Sequence, residues 1–313
     1  MIDTAHRRTT RVMVIIVVAL MALTVGVFAF TYLTGNAALQ MQVAGMGSTA
    51  LYVMCVWHSA VVRGGRDTVV FFGLTAILAF GAEFLGDNYG LIFGDYHYTD
   101  GLGPRVGGVP ILIVFVWGTV VYCAFAMVDW LARRNSPLPA DGLPRLGYAL
   151  LQGLATGVVT AAWDLMADPL AVSRVWQEVL GSPAWWWWID GGPYLPDLES
   201  WQGGAGIPLE NFVGWVLVPL TITTIFVMVA SRPARITTRS AAAVPILIYG
   251  FLYLTLLGGL LEMSWFDPGL IQAVLIGTFT MGPTIVVGLL ALWSWPGPAV
   301  LEQHKQSTTP EPT

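Results

Sequence analysis

Charged side chains are scarce in this sequence. Lys, Arg, Asp and Glu together make up 11% of the 313 residues, whereas an ordinary globular chain carries about 25%. Hydrophobic residues make up 56%, and the mean hydropathy is +0.68. This excludes an ordinary water-soluble domain and predicts an all-α integral membrane protein. We expect the protein to be surrounded by the lipid bilayer and to have no nucleic-acid partner.

Cysteine and histidine are scarce as well. The two cysteines, Cys55 and Cys123, both lie within apolar runs, which favours thiols that face lipid or the core and argues against a disulfide framework. His58 has no second His or Cys at metal-ligand spacing. We interpret it as a buried structural histidine.

Long apolar runs dominate the rest of the chain. A run of about 20 such residues can span a bilayer as a helix, and the lack of period-two alternation argues against a β-barrel. We expect one transmembrane helical domain over residues 1–295 and a disordered cytoplasmic tail over 296–313. The eight predicted spans are residues 12–33, 41–62, 68–86, 109–131, 146–166, 207–230, 244–263 and 270–294.

The first run follows three arginines, so a cleaved secretory signal is the alternative to a first helix. Its apolar core exceeds the roughly 7–15 residues of such signals, which favours an uncleaved helix. With both termini in the cytoplasm, every basic residue except Arg105 and Arg174 falls on the cytoplasmic side, as the positive-inside rule requires. We therefore expect a multi-pass protein of the cell membrane.

Two acidic pairs stand at the outer ends of predicted helices. Glu83 and Asp87 are four residues apart, as are Asp164 and Asp168, and this spacing places each pair on one helical face. Carboxyl groups so close to lipid are costly and usually functional. Because burial and like charge disfavour ionisation, such a group can serve as a general acid.

The two pairs belong to stretches with the same outline. Each pair is followed by an aromatic loop and then by a proline with a tryptophan seven residues further on: Pro110 with Trp117, and Pro208 with Trp215. This predicts a parallel internal repeat in which the third and fourth helices correspond to the fifth and sixth.

Polar and aromatic residues near these pairs allow two interpretations. Asn211 lies one turn into a predicted helix, where its amide needs a partner, and we expect a carboxylate. Tyr96 and Tyr98 either point inward or belong to an interfacial aromatic belt. The four tryptophans at 185–188 either anchor the chain at the membrane surface, which is favoured for at least two of them, or form an aromatic wall for an apolar, electron-rich or cationic guest.

Five motifs give the sequence a family resemblance over about residues 70–290. They are Glu83-x-x-Gly86, Phe93-Gly94-x-Tyr96-x-Tyr98, Gly108-Val109-Pro110, Trp163-Asp164 with Asp168-Pro169, and Gly206-Ile207-Pro208-Leu209-x-Asn211-Phe212-x-Gly214-Trp215. In these motifs the chain resembles the membrane carotenoid 1′,2′-hydratases, the γ-carotene and bisanhydrobacterioruberin hydratases.

The resemblance implies a hydro-lyase of carotenoid biosynthesis. Such an enzyme adds water to the terminal C1′=C2′ double bond of an acyclic (ψ) end group and needs no cofactor or metal. A hydrophobic carotenoid is the expected substrate, and other enzymes of carotenoid biosynthesis are candidate partners.

Roles for the site residues follow as hypotheses. The acid is Asp164 or Glu83, and water is activated by Asp168 or Asp87. Asn211, Tyr96 and Tyr98 orient these groups. The residues expected to contact the substrate are Tyr96, Tyr98, Trp163, Trp186 and Trp215.

Two other functions remain open. The spacing Asp164-x3-Asp168 resembles the acidic repeat of membrane prenyltransferases, which bind a diphosphate through Mg²⁺, but that chemistry also calls for several basic residues. Only Arg105 and Arg174 lie on the acidic side. A transporter or a non-catalytic carotenoid-binding protein is the other alternative, although its ionisable residues would be expected near the midplane.

Overall fold

The fold is a bundle of long helices with a small cap at one end. The computed structural model describes residues 2–34, 37–135, 139, 141–230, 234, 236 and 238–295. Within these residues the helices are α1 (Ile2–Thr34), α2 (Ala37–Arg63), α3 (Gly65–Tyr89), α4 (Ile111–Asn135), α5 (Gly142–Val172), α6 (Val175–Glu178), α7 (Leu209–Val229), α8 (Arg239–Met263) and α9 (Leu270–Trp293).

All of these helices except the four-residue α6 are long and apolar enough to cross a membrane. The prediction of an all-α protein with eight spans is therefore confirmed, and the chain is a multi-pass membrane protein. The cytoplasmic location of both termini and the internal repeat stay predictions. The predicted tail at 296–313 lies outside the described residues.

Residues 90–110 and 173–208 form the cap. In it, β1 (Tyr96–Tyr98) pairs antiparallel with β4 (Trp186–Trp188), and β2 (Arg105–Val106) pairs with β3 (Val109–Pro110). Side chains alternate between the two faces of a strand, so in β1 and β4 the outer residues of each triplet are buried and the central one is partly exposed. The first and third of the four tryptophans, Trp185 and Trp187, are only partly buried.

Helix α5 continues through Pro169 to Val172, whereas the span predicted from the sequence ends at residue 166. A proline within a helix leaves the carbonyl four residues earlier without its donor. Here that carbonyl belongs to Leu165, and the hydroxyl of Tyr194 donates to it at 2.7 Å. Proline is tolerated in a membrane helix when such a substitute donor is present.

His58 supplies the missing hydrogen-bond donor at a second proline, in α8. Pro245 lies inside that helix and frees the carbonyl of Ala241, which accepts a hydrogen bond from His58 Nε2 at 2.8 Å. His58 Nδ1 lies 2.7 Å from the hydroxyl of Tyr122 and accepts from it. The histidine is buried and structural, as expected, and it joins α2, α4 and α8.

The two cysteines are free and buried. Cys55 on α2 and Cys123 on α4 face each other, with 3.7 Å between their sulfur atoms. They contribute to the packing of these two helices.

Helices α5 and α7 approach closely along two glycines. A Cβ atom at Gly157 would lie 2.4 Å from the backbone oxygen of Val216, and one at Gly153 would lie 2.7 Å from that of Leu220. Small residues commonly permit such close contact between membrane helices. This contact sets the distance between the aspartates of α5 and Asn211 of α7.

We expect Gly157→Ala to destabilise the protein, because its methyl group would push α7 away at a backbone atom that cannot rotate aside. The loss should be about 1–3 kcal/mol, the usual cost of overpacking, and would be measured as a lower melting temperature in detergent. Gly147→Ala is the matched control, since a Cβ there meets nothing within 4 Å. Equal melting temperatures for the two variants would contradict this packing.

Candidate active site

Glu83 is buried beneath the cap and is held by three neutral donors. One oxygen, Oε1, accepts from the indole of Trp117 at 2.6 Å. The other, Oε2, accepts from the hydroxyl of Tyr98 at 2.7 Å and also from the hydroxyl of Tyr96. Only 3% of Glu83 is exposed. Because each of its oxygens accepts hydrogen bonds, the arrangement suits an acceptor-only carboxylate.

The local fold explains how the tyrosines reach Glu83. Tyr96 and Tyr98 lie two apart on β1 and therefore point to the same side. Gly86, one turn after Glu83, leaves room for a tyrosine ring, because a Cβ atom there would lie 2.5 Å from Cε1 of Tyr96. The motif Glu83-x-x-Gly86 thus combines an acceptor with the space for its donor.

Both tyrosines stay protonated. Burial, together with the nearby Glu83 carboxylate, raises the pKa of Tyr96 and that of Tyr98 well above the ordinary value for a phenol. Each hydroxyl therefore remains a hydrogen-bond donor at neutral pH.

Asp164 and Asp168 form the second acidic group, one turn apart on α5 and almost fully buried. The amide of Asn211 on α7 donates to Oδ2 of both, at 2.8 and 2.6 Å. The indole of Trp186 donates to Oδ1 of Asp168 at 3.1 Å. Within the described part of the chain, Oδ1 of Asp164 has no hydrogen-bonding partner.

The charge balance of this pair favours one shared proton. Among the residues that the structure describes, no Lys, Arg or His side chain pairs with Asp164, Asp168 or Glu83. Two ionised carboxylates on one amide would repel each other, and a proton held between them removes that repulsion. When this proton moves to the free oxygen of Asp164, that oxygen can give it to a bound molecule.

Aromatic rings join the two acidic groups. Trp117 and Trp215 stack with 3.8 Å between ring centroids and 10° between planes, and Trp163 lies 5.5 Å from Trp215. Tyr98 and Trp186 are partners in the strand pairing, and their rings are 5.9 Å apart. Ring faces attract positive charge, so this wall suits a cationic guest.

The contacts unite residues at corresponding positions of the predicted repeat. Trp117 and Trp215 each follow a proline by seven residues, and they stack on each other. Strands β1 and β4 occupy corresponding loops and pair with each other. Glu83 also lies close enough to both aspartates to interact with them electrostatically.

Asp87 has a different environment from the other three acids. Its Oδ1 accepts from the backbone N–H of Tyr98 at 3.2 Å and lies 3.6 Å from Nδ1 of His97. Its Oδ2 approaches Gly108, where a Cβ atom would lie at 2.0 Å. These contacts attach the cap to the end of α3, which is a positioning role.

Two residues of the site were not among the predicted ones. Trp117 donates to Glu83, and its spacing from Pro110, equal to that of Trp215 from Pro208, was the signal that could have identified it. Tyr194 holds the carbonyl of Leu165 next to Asp164, and no sequence pattern indicates that contact. Among the described residues, no group of three or more His, Cys, Asp or Glu side chains is placed to hold a metal ion.

Comparison with known proteins yields one match. A family model described as "Carotenoid biosynthesis protein" matches residues 41–283, which include both acidic groups and the cap. No curated protein and no solved structure matches the chain.

Replacing Asn211 should test the shared hydrogen bonds directly. Asn211→Leu removes the donor of two buried oxygens, and we expect a stability loss of about 1–3 kcal/mol for each oxygen left without a partner, measured by thermal unfolding in detergent. Val213→Leu, at an exposed position of the same helix, is the control.

A double-mutant cycle separates this role from simple packing. In an Asp164→Leu background the same Asn211→Leu change should cost less, with a coupling of about 0.5–3 kcal/mol between the two sites. Strictly additive losses would show that the amide does not serve the aspartates.

Proposed function

Since the chain belongs to the carotenoid biosynthesis protein family, we propose that it is a carotenoid hydratase. It adds water to the terminal C1′=C2′ double bond of an acyclic ψ end group and forms a tertiary alcohol. The observation that carries this proposal is the aspartate pair bridged by Asn211, with one free oxygen, beside a wall of stacked tryptophans. The resemblance of five sequence motifs to the membrane carotenoid hydratases supports the same reaction.

Protonation of the alkene is the demanding step, and Asp164 is the proposed acid. An unactivated carbon–carbon double bond accepts a proton only from a strong and well-positioned donor. A carboxyl group kept neutral in an apolar site can be that donor. Asp164 is preferred over Glu83 because its Oδ1 is free, whereas each oxygen of Glu83 already accepts hydrogen bonds.

The tertiary cation that forms must be stabilised without bonding to a nucleophilic side chain of the protein. Its charge, at C1′ after the proton has bonded to C2′, would face the rings of Trp215 and Trp163. The ionised Glu83 behind Trp117 supplies negative charge on the same side. The donors around Glu83 hold this carboxylate in place, so that it acts electrostatically and does not bond to the substrate.

Water completes the reaction. Its oxygen bonds to C1′ while Asp168 takes one of its protons, and that proton then returns to Asp164 across the shared site. The sum is one alkene plus one water giving one alcohol, with no net change in protons and no cofactor. Asp87 keeps the cap in position, and Tyr96, Tyr98 and Asn211 orient the carboxyl groups.

Expression in a host that makes an acyclic carotenoid tests the reaction. We expect pigments heavier by the mass of one or two waters, found by mass spectrometry of the extracts, because each ψ end is a possible substrate. An unchanged pigment in the presence of well-folded protein would overturn the proposal. A requirement for Mg²⁺ and a prenyl diphosphate would favour a prenyltransferase, and solute flux without a change in pigment mass would favour a transporter.

Variants of the acids should separate their roles. Removing a general acid costs about 10²–10⁴-fold in rate, so Asp164→Asn should abolish detectable hydration. Glu83→Gln should lower it by about 10²-fold, as expected for lost electrostatic stabilisation.

Glu262→Gln serves as the control for these variants. It alters a carboxyl group at the same end of the bundle, on α8 and outside both acidic groups, and it should leave the rate unchanged. Full activity in Asp164→Asn would remove that residue from the mechanism.

A further inference from the structure

A row of buried polar side chains runs along α5 beneath the aspartates. Its members are spaced by four residues, so that each is the helical neighbour of the next, and each is at most 4% exposed. The row consists of Gln152, Thr156, Thr160, Asp164 and Asp168. From Gln152 to Asp164 it covers about 18 Å of helix, which is much of the depth of a bilayer core.

The far end of this α5 polar row joins an ionic cluster. The amide of Gln152 donates to Asp129 Oδ1 at 3.0 Å. Asp129 also binds Arg63 at 2.6 Å and Arg133 at 2.5 Å. The side chain of Arg133 is 16% exposed, so the cluster reaches the surface of the bundle at the end opposite the cap. The row thus connects this surface with the candidate active site.

Several polar atoms at the two ends of the row, in the ionic cluster and on the neighbouring helix α7 have no partner among the described residues. They are Oε1 of Gln152, Oγ1 of Thr223, Oδ1 of Asp164, and Nε and Nη1 of Arg63. Thr223 lies on α7, the helix packed most closely on α5, and is fully buried. An unpaired buried polar group destabilises a folded protein, so these five atoms need an explanation.

The threonines of the row can still accept hydrogen bonds. Thr156 and Thr160 each donate a hydroxyl hydrogen to the carbonyl four residues earlier, at 2.8 Å. Their oxygen lone pairs remain available. Together with Gln152, Thr223 and Asp164 they provide the two to four polar partners that a buried water needs.

We propose that ordered waters follow the α5 polar row and connect the Arg63–Asp129 cluster with Asp164. Through this path the reacting water reaches a site that the cap closes with aromatic rings. The hydration of the row stands on the buried polar atoms alone, whereas the delivery of reactant water rests on the proposed function. The path accounts for the polar row itself, because apolar residues would pack at these positions without the cost of unpaired groups.

Silver ions provide a probe of hydration that does not depend on activity. In the full chain carrying Thr156→Cys, Ag⁺ should block the introduced thiol about tenfold faster than the native thiols, because moving a cation from water into a dry apolar interior is very costly. The remaining free thiols would be alkylated after unfolding and assigned by peptide mass. Cys55 and Cys123 are matched internal controls, since both are fully buried between α2 and α4.

Each result of this experiment bears on the proposal. Selective blocking at position 156 supports a hydrated row. Protection of all three thiols, or equal blocking of all three, overturns it. This outcome is independent of the hydratase assignment, because a chain that leaves carotenoids unchanged can still carry a hydrated row.

The delivery role has its own test. Thr156→Val combined with Thr160→Val keeps the side-chain shape but removes two hydroxyls, and the rate of carotenoid hydration should fall about tenfold or more as the lost hydrogen bonds raise the cost of passage. Thr221→Val is the matched control, because that hydroxyl makes the same bond to its own helix but lies on an exposed face. Full activity in the double variant would overturn the delivery role while leaving the silver result intact.

Discussion

The central constraint on this structure is that three carboxyl groups lie inside an apolar bundle without a cationic partner among the described residues. A buried carboxylate is tolerated only when hydrogen bonds replace the lost water. Here every donor to Glu83, Asp164 and Asp168 is neutral: an indole, a phenol or an amide. Because most of these donors are aromatic, the groups that satisfy the acids also build the apolar wall around them. The same side chains therefore satisfy the buried carboxyl groups and form the wall of the site.

Two backbone carbonyls in the bundle follow the same rule. Prolines within α5 and α8 each free a carbonyl, and a side chain from elsewhere supplies the missing donor: Tyr194 for Leu165 and His58 for Ala241. In lipid an unpaired carbonyl costs several kcal/mol by the usual estimate. These two contacts therefore stabilise the continuation of α5 beyond Asp168 and connect α8 with α2.

These contacts also show what a sequence can and cannot reveal. The eight spans were predictable because length and hydropathy are local properties, and the acids were recognisable because carboxyl groups near lipid are rare. The continuation of α5 was not predictable, since Tyr194 lies 29 residues away from Leu165 in a loop.

The separation of Asp87 from the other acids has a related cause. Helix α3 ends two residues after Asp87, at Tyr89, and leaves it at the edge of the cap. Helix α5 runs four residues past Asp168 and keeps it inside. Equal spacing in the sequence therefore produces unequal burial. The pairing of β1 with β4, which brings Tyr98 to Trp186, joins segments about 90 residues apart and has no local signal.

The stack of Trp117 on Trp215 gives the two acidic groups a physical connection. The indole N–H of Trp117 is donated to Glu83, and a hydrogen bond to a carboxylate polarises its donor in a medium of low dielectric constant. The ring of Trp117 therefore becomes more electron-rich, and its neighbour at 3.8 Å is Trp215. A cation near Trp215 would therefore lie close to a stacked pair of rings, one of which is polarised by Glu83. In this way the carboxylate can act on the guest without contacting it. This arrangement would let Glu83, with each of its oxygens engaged by donors, contribute to the reaction proposed at Asp164.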